Sequence, residues 1–139
     1  MKKVMTIASL ALLLTPSAAF AKTTPATLAG AQVVSATQLK TLMGANRNLL
    51  VIDARIHSEY VDGHIPGAVN YPQPQLESFK HKFPKSKAAP LAFYCNGPKC
   101  WKSYDAAKMA VSWGYSHIFW MRGGVPEWKK AGYPVVKGR

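Results

Sequence analysis

The feature that most constrains the fold of this chain is a set of three short, largely apolar runs. They are Leu49–Ile52, Leu91–Tyr94 and His117–Trp120. Runs of this length without polar alternation are typical of strands buried on both faces of a parallel sheet. A helical pattern separates the last two, because Ser103–Trp113 carries apolar residues at helical spacing. Strands that alternate with helices predict an α/β fold with a central, mostly parallel sheet and helices on both faces.

Smaller elements are expected around this framework. Ser35 is placed to cap a short helix that ends at Met43, with Gly44 as its stop. The other expected elements are an edge strand from Val33, a helical turn at 58–60, a strand at 68–71, a helix near 75–80 and a last short helix at 126–131.

The first 21 residues have the pattern of a secretory signal peptide. Met1–Lys3 is a short positive segment, Val4–Leu14 is mostly apolar, and Ala19–Ala21 has the small-x-small form of a cleavage site. The apolar stretch is too short for a membrane span. We therefore expect cleavage after Ala21, a periplasmic mature protein, and no membrane-spanning segment after processing.

Cleavage would leave enough residues for one domain with a real core and too few for two. We expect the small, polar residues 22–32 to be flexible and residues 33–135 to form the domain. The net charge of +12 would fall to +10 with the two signal-peptide lysines. A protein this basic is suited to an anionic substrate, an acidic partner or a membrane surface. No motif in the sequence points to nucleic acid.

Both cysteines lie in one short stretch, YCNGPKCWKS, between an expected strand and an expected helix. Ligands of parallel sheets bind beyond the carboxyl ends of the strands. Backbone N–H groups and the helix dipole stabilise anions there, including a thiolate, a persulfide or an oxyanion. We therefore expect Cys95 to have a lowered pKa and to be nucleophilic. The expected anion-binding residues of the loop are Asn96, Gly97, Pro98, Lys99, Trp101 and Lys102.

The role of Cys100 stays open at this stage. A Cys95–Cys100 disulfide would close a very small loop and remove little entropy from the unfolded chain, so chemistry is a better reason for it than stability. Cys100 is either a thiol that captures oxidised Cys95 or a small apolar residue that helps to shape the loop. Trp101 is expected to pack beneath the loop.

Four motifs, in order along the chain, resemble those of rhodanese domains. They are Asp53-Ala54-Arg55, the stretch YVDGHIPGA at 60–68, the Tyr94-Cys95 junction with Ala106-Ala107 after it, and GGVPEW at 123–128. The resemblance covers about residues 33–135 and implies the rhodanese-like fold. It also implies that Cys95 takes up a sulfane sulfur as a persulfide and passes it to a nucleophile.

The supporting residues of the site are expected to act through structure. Asp53 and Arg55 follow a buried strand and are read as an ion pair that shapes the site, and His64 as a structural histidine. The four histidines show no ligand spacing, so no metal is expected, and no other cofactor.

The cysteine loop departs from the usual pattern of the family. Cys95 precedes Ser103 by two residues more than the family pattern Cys-x-x-Gly-x-Arg-Ser has, and Lys102 replaces the arginine. The inserted Cys100-Trp101 pair is similar to a CxxCW rhodanese-like subgroup associated with quinoprotein alcohol oxidation. The longer loop puts thiosulfate specificity in doubt, because the size of the donor depends on the cradle.

Three functions compete on the sequence alone. The first is a periplasmic sulfurtransferase or persulfide carrier that takes sulfur from a small anionic donor such as thiosulfate, a polysulfide or a persulfide, and gives it to a thiol or a cyanide-like nucleophile. The second is a thiol–disulfide protein that uses Cys95 and Cys100 with a thioredoxin-like reductant. The third is a non-catalytic binding module. The first two could be one mechanism, in which Cys100 attacks the Cys95 persulfide and releases sulfide.

Overall fold

The structure is a computed structural model that describes residues 22–139, together with Lys3 and Ala11. The expected signal peptide lies outside the described residues. Within the described part of the chain, no helix combines the length and the apolarity that a bilayer span requires.

Five parallel strands form the central sheet, in the order β1-β5-β4-β2-β3. In chain order they are β1 (Ala31–Val33), β2 (Leu50–Asp53), β3 (Val69–Asn70), β4 (Leu91–Tyr94) and β5 (Ile118–Met121). β4 lies at the centre, where Phe93 pairs with Ile52 of β2 and with Trp120 of β5. The predicted parallel sheet is therefore confirmed.

Helices connect the strands, as parallel pairing requires. The α-helices are α1 (Ala36–Ala45), α2 (His57–Asp62), α3 (Leu76–Phe79), α4 (Lys102–Ser112) and α5 (Gly124–Lys130). Short 3₁₀ turns at Gln73–Gln75 and Lys80–Lys82 flank α3, in the region where one helix was predicted.

The core has two halves, one on each face of the sheet. Leu39 of α1 and Trp128 of α5 pack on one face, and Ala107 of α4 and Leu76 of α3 pack on the other. Side chains of each strand alternate between the halves, so Ala92 lies in the first and Phe93 in the second. Both faces are buried, which is why the strands read as continuous apolar runs. The prediction of helices on both faces is confirmed.

Two local predictions at the start of the domain were wrong. The first strand begins at Ala31, before Val33. Within residues 22–32, which were expected to be flexible, Thr24 and Leu28 are buried. Ser35 does cap α1, through a capping box with Gln38, but Gly44 lies inside the helix, which ends at Ala45 with Asn46 as its C-cap. Gly44 does not stop α1 because the cap N–H of Asn46 still bonds to Leu42.

Candidate active site

The cysteine loop lies at the carboxyl end of the central strand. Cys95 directly follows β4, and α4 begins at Lys102. Gly97 has a φ of +118°, a conformation that only glycine adopts without strain. The Cys100 N–H donates to the Gly97 carbonyl at 2.9 Å, so the chain turns back on itself before the helix. The two cysteines are thereby brought to the same side of the loop.

The Cys95 thiol is enclosed by polar groups at the start of α4. Its side chain is buried, and its Sγ lies 2.9 Å from the Ser103 hydroxyl and 3.3 Å from the Ser103 N–H. The thiol also donates to the Cys100 carbonyl at 3.3 Å. The Ser103 hydroxyl accepts a hydrogen bond from the indole N–H of Trp120 at 3.0 Å, which leaves its own proton free for the sulfur. A sulfur anion on Cys95 would therefore meet two donors.

Ser103 is a site residue that the sequence reasoning missed. Its spacing from Cys95 served only to show that the loop is longer than the family pattern. A buried serine in the first turn of a helix that follows a cysteine loop is the signal that could have identified it.

The two thiols have opposite pKa shifts, and this corrects the expectation for Cys95. The pKa of Cys95 is raised, first by its hydrogen bond with the Cys100 side chain and then by burial. The pKa of Cys100 is lowered to about 6. The largest cause is the Cys95 side chain, and the N–H groups of Asn96 and Lys102 and the charge of Lys102 add to it. The loop does stabilise a thiolate, and these shifts favour Cys100 as its position.

A buried polar network lies beneath the loop and supports it. The Arg55 guanidinium bonds to the Asp53 carboxylate at 2.7 Å, and the same carboxylate accepts from the Tyr94 hydroxyl at 2.8 Å. Arg55 also donates to the Gly63 carbonyl at 2.7 Å and to the Asn96 side chain at 3.4 Å. Both members of the ion pair are therefore satisfied, and they connect the ends of β2 and β4 to the loop.

His64 lies next to this network, and its hydrogen bonds are to Tyr60 and Val136. Its Nδ1 is 2.8 Å from the Tyr60 carbonyl, and its ring stacks on Tyr60 with centroids 3.7 Å apart. Its backbone N–H and C=O both pair with Val136. These contacts describe a structural histidine. Among residues 22–139, no three His, Cys, Asp or Glu side chains converge as metal ligands do.

Two further contacts hold the loop from outside. The Asn96 amide donates to Glu59 of α2 at 2.6 Å. The Pro98 carbonyl accepts from both the N–H and the hydroxyl of Thr24, at 2.7 and 2.9 Å, and Arg122 donates to the Thr24 carbonyl at 2.7 Å. Sequence reasoning missed Glu59, Thr24 and Arg122, because their partners lie far away along the chain.

Gly123 and Gly124, at the start of α5, pack against the backbone of the cysteine loop. The Val125 N–H donates to the Cys95 carbonyl at 2.9 Å. A Cβ on Gly124 would lie only 2.5 Å from the Gly97 nitrogen and closer still to the Cys95 carbonyl oxygen. Gly124 also has a φ of +61°. The backbone of the cysteine loop can reach its position only because residue 124 has no side chain.

The exposed rim of the loop carries Lys99 and Trp101. Lys99 is exposed and Lys102 is half-buried. Trp101 was expected beneath the loop, and this was wrong: it is exposed and meets Tyr104 edge-on, with centroids 5.2 Å apart. The position beneath the loop is already taken by the Trp120 indole, which bonds to Ser103.

A comparison with protein families identifies the family of this chain. Residues 35–131 match the model of the rhodanese-like domain. The chain belongs to the rhodanese-like domain family.

Relatives of this rhodanese-like domain include enzymes and a regulator. The chain is 32% identical over 113 residues to a human thiosulfate:glutathione sulfurtransferase, covering 73% of this chain and 96% of the relative. It is 34% identical over 88 residues to HTH-type transcriptional regulator Rv0324 of Mycobacterium tuberculosis, covering 63% of this chain and 38% of the regulator. The chain thus spans well under half of that regulator's length.

Solved structures agree with the fold. The crystal structure of the Alr3790 protein from Anabaena superposes with a TM-score of 0.67 at 26% identity, and the match covers 76% of this chain and 82% of the other. The family and the fold are therefore known, and the relatives support sulfur transfer in general. The function of this rhodanese-like domain depends on what its own loop can do.

Proposed function

We propose that this chain is a periplasmic sulfurtransferase or persulfide carrier in which Cys95 accepts a sulfane sulfur. The observation that carries the proposal is the surroundings of the Cys95 sulfur, with the Ser103 hydroxyl at 2.9 Å and the Ser103 N–H at 3.3 Å. Both groups donate to an anionic sulfur, and their position at the first turn of α4 adds the positive end of the helix dipole. Such a cradle fits a persulfide.

The raised pKa of Cys95 requires a group that takes its proton, and Cys100 fits that role. The Cys100 thiol has a pKa of about 6 and interacts directly with the Cys95 side chain. A base with a pKa near the working pH is well suited to proton transfer. As Cys95 attacks the donor, its proton passes to the Cys100 thiolate, and the two cysteines exchange the single negative charge.

The loading step can be written with thiosulfate as the donor. The Cys95 sulfur bonds to the outer sulfur of thiosulfate, the S–S bond of the donor breaks, and sulfite leaves with the electron pair. The products are a Cys95 persulfide anion, protonated Cys100 and sulfite. A polysulfide or a persulfide can serve in the same way. Lys99 and Lys102 at the loop favour a donor with negative charge.

In the second half-reaction the outer sulfur passes to a nucleophile, which we propose is a small thiol or a cyanide-like anion. The Cys95 thiol re-forms, and no cofactor takes part. We also propose that secretion follows cleavage after Ala21, which N-terminal sequencing of the exported protein would test.

The test of this function is the intact mass of the reduced mature protein before and after incubation with thiosulfate or a polysulfide. We expect a gain of one sulfur, about 32 Da, that cyanide removes. Cys95→Ser should lose the gain and keep the fold, because serine preserves the shape of the side chain. If neither donor adds sulfur to the wild-type protein, the carrier proposal is wrong and a binding module takes its place.

A further inference from the structure

The second cysteine of the loop has a place in the chemistry beyond accepting a proton. We propose that the protein also reduces the sulfur it binds: Cys100 attacks the Cys95 persulfide, sulfide leaves, and a Cys95–Cys100 disulfide remains. This inference rests on the proposed function, because the persulfide on Cys95 must form first. It makes Cys100 a second catalytic residue and the protein a source of sulfide.

The geometry of the loop places Cys100 against Cys95. The turn closed by the Cys100 N–H and the Gly97 carbonyl brings residue 100 back over residue 95. The Cys95 sulfur lies 3.3 Å from the Cys100 carbonyl oxygen, so the two residues are in direct contact. Both cysteines are free thiols in the structure. Their side chains interact directly, since each shifts the pKa of the other.

Accessibility favours the internal thiol over an external one. Cys95 is 1% exposed, whereas Cys100 is half-buried at the opening of the loop. The buried Cys95 sulfur has little surface open to an external thiol. Cys100 is already held next to that sulfur, and a reaction between groups held in this way is effectively unimolecular.

The local charges also favour Cys100 as the attacking group. The Cys95 side chain is the largest cause of the lowered Cys100 pKa, and the N–H groups of Asn96 and Lys102 and the charge of Lys102 lower it further. The Ser103 hydroxyl and N–H, which lie next to the Cys95 sulfur, steady the negative charge that passes through it during the exchange.

The step balances in atoms and electrons. The Cys100 sulfur forms a bond to the Cys95 sulfur, and the bond from Cys95 to the outer sulfur breaks. The outer sulfur leaves with the electron pair and takes the Cys100 proton, so the product is hydrosulfide. The sulfane sulfur gains two electrons, and the two thiols supply them as they become a disulfide.

The cycle closes with a dithiol reductant, which reduces the disulfide and becomes oxidised itself. The disulfide closes only the short loop 95–100, so it restricts the unfolded chain little and adds little to the stability of the fold. It is therefore readily reduced by a dithiol with a low reduction potential. A thioredoxin-like partner and dithiothreitol are both dithiols that can carry out this thiol–disulfide exchange.

The experiment follows sulfide release and intact mass together, with no thiol present. Reduced wild-type protein receives one equivalent of inorganic polysulfide, and free sulfide is measured with the mass over time. We expect a transient gain of about 32 Da that decays to a species about 2 Da lighter than the reduced chain, with one additional sulfide released per chain. Peptide mapping should find Cys95 joined to Cys100, and dithiothreitol should restore further turnovers.

Two variants separate this inference from the proposed function. In Cys100→Ser, any persulfide that forms should persist, with sulfide release at least about 100-fold slower than in the wild-type protein. If wild-type protein keeps the added sulfur in the absence of a thiol, the inference fails and the carrier proposal stands. If Cys95→Ser keeps an added sulfur and Cys100→Ser never gains one, Cys100 is loaded first, and both the assigned order and the role of Cys95 are overturned.

Discussion

At the scale of single residues, the chemistry depends on how the loop divides one negative charge between two cysteines. The hydrogen bond between the two side chains raises the pKa of Cys95, and burial raises it further. The same contact lowers the pKa of Cys100, and the N–H groups of Asn96 and Lys102 add to it. In the proposed mechanism, charge moves to Cys95 only when a donor is attacked. The nucleophile is therefore protected between turnovers, while its proton acceptor is kept ready.

This division of roles predicts the pH dependence of sulfur loading. The Cys100 pKa is lowered to about 6, so the thiolate that accepts the Cys95 proton is lost as the pH falls through that value. We expect the single-turnover loading rate with thiosulfate to rise with pH up to about 6 to 7 and then to level off. In Cys100→Ser, loading should require the ionisation of Cys95 itself, whose pKa is raised. That variant also lacks the hydrogen bond from Cys100, which is the largest cause of the raised Cys95 pKa, so only burial still raises it. The rise should then move to the more alkaline range of an ordinary thiol, and identical profiles for the two proteins would contradict the assignment.

The sequence predicted that this loop stabilises a thiolate, but it predicted the lowered pKa for Cys95, whereas the structure lowers that of Cys100. The apolar run before Cys95 and the Gly97-Pro98 pair after it identify a loop at a strand end. The direction of each N–H group and the burial of each sulfur depend on the folded turn. So does the contact between the two cysteine side chains, which is the largest cause of both pKa shifts. Ser103 was missed for the same reason, because its hydroxyl reaches Cys95 only in the folded loop.

At the scale of secondary structure elements, predictions were most accurate where both faces of an element are buried. The bounds of β4, Leu91–Tyr94, were predicted without error, and β2 and β5 within one residue. Errors fell on β1 at the edge of the sheet and on residues 22–30. There, order comes from Thr24 contacting Pro98 and Arg122, and no local pattern indicates a contact over such a distance along the chain.

The contact between the cysteine loop and the start of α5 predicts the effect of two glycine substitutions. Gly124 and Gly132 both have positive φ, +61° and +84°, so alanine at either position should cost about 1–2 kcal/mol from backbone strain. A Cβ on Gly132 meets nothing within 4 Å, whereas one on Gly124 would collide with the backbone of Cys95 and Gly97.

We therefore expect Gly132→Ala to keep normal sulfur loading with a modest loss of stability. Gly124→Ala should lose more stability and most of its loading, because the loop must move away from α5. Chemical denaturation gives the first quantity, and intact mass after incubation with polysulfide gives the second. Equal behaviour of the two variants would show that the close backbone approach has no part in forming the site.

At the scale of the whole molecule, positive charge is concentrated at two opposite ends of the sheet. Lys99 and Lys102 lie at the carboxyl end, next to the cysteines. Lys85 and Lys87 precede β4 at the amino end, where the Lys87 carbonyl bonds to Ser116 just before β5. They line an open groove of about 480 Å³ together with Lys80 and Tyr115. Only the first group is close enough to act on a donor at the loop.

This separation of charge predicts how salt affects the capture of an anionic donor. The Debye length falls from about 10 Å at 0.1 M salt to about 3 Å at 1 M, so exposed lysines attract thiosulfate less as salt rises. We expect the second-order rate of loading by thiosulfate to fall about 3- to 10-fold over that range, and loading by an uncharged organic trisulfide to change less than about 2-fold.

Two single substitutions, each of which removes one positive charge, test which lysines cause the salt dependence of loading. Lys99→Gln should flatten the salt dependence for thiosulfate, because it removes an exposed charge beside the loop. Lys85→Gln should leave it unchanged, because that lysine lies at the far end of the sheet and outside the range of screened interactions. Single-turnover loading rates at several salt concentrations measure both. If Lys85→Gln flattened the dependence as much as Lys99→Gln, the net charge of +12 would attract the donor, and the placement of lysines around the cysteines would be irrelevant to capture.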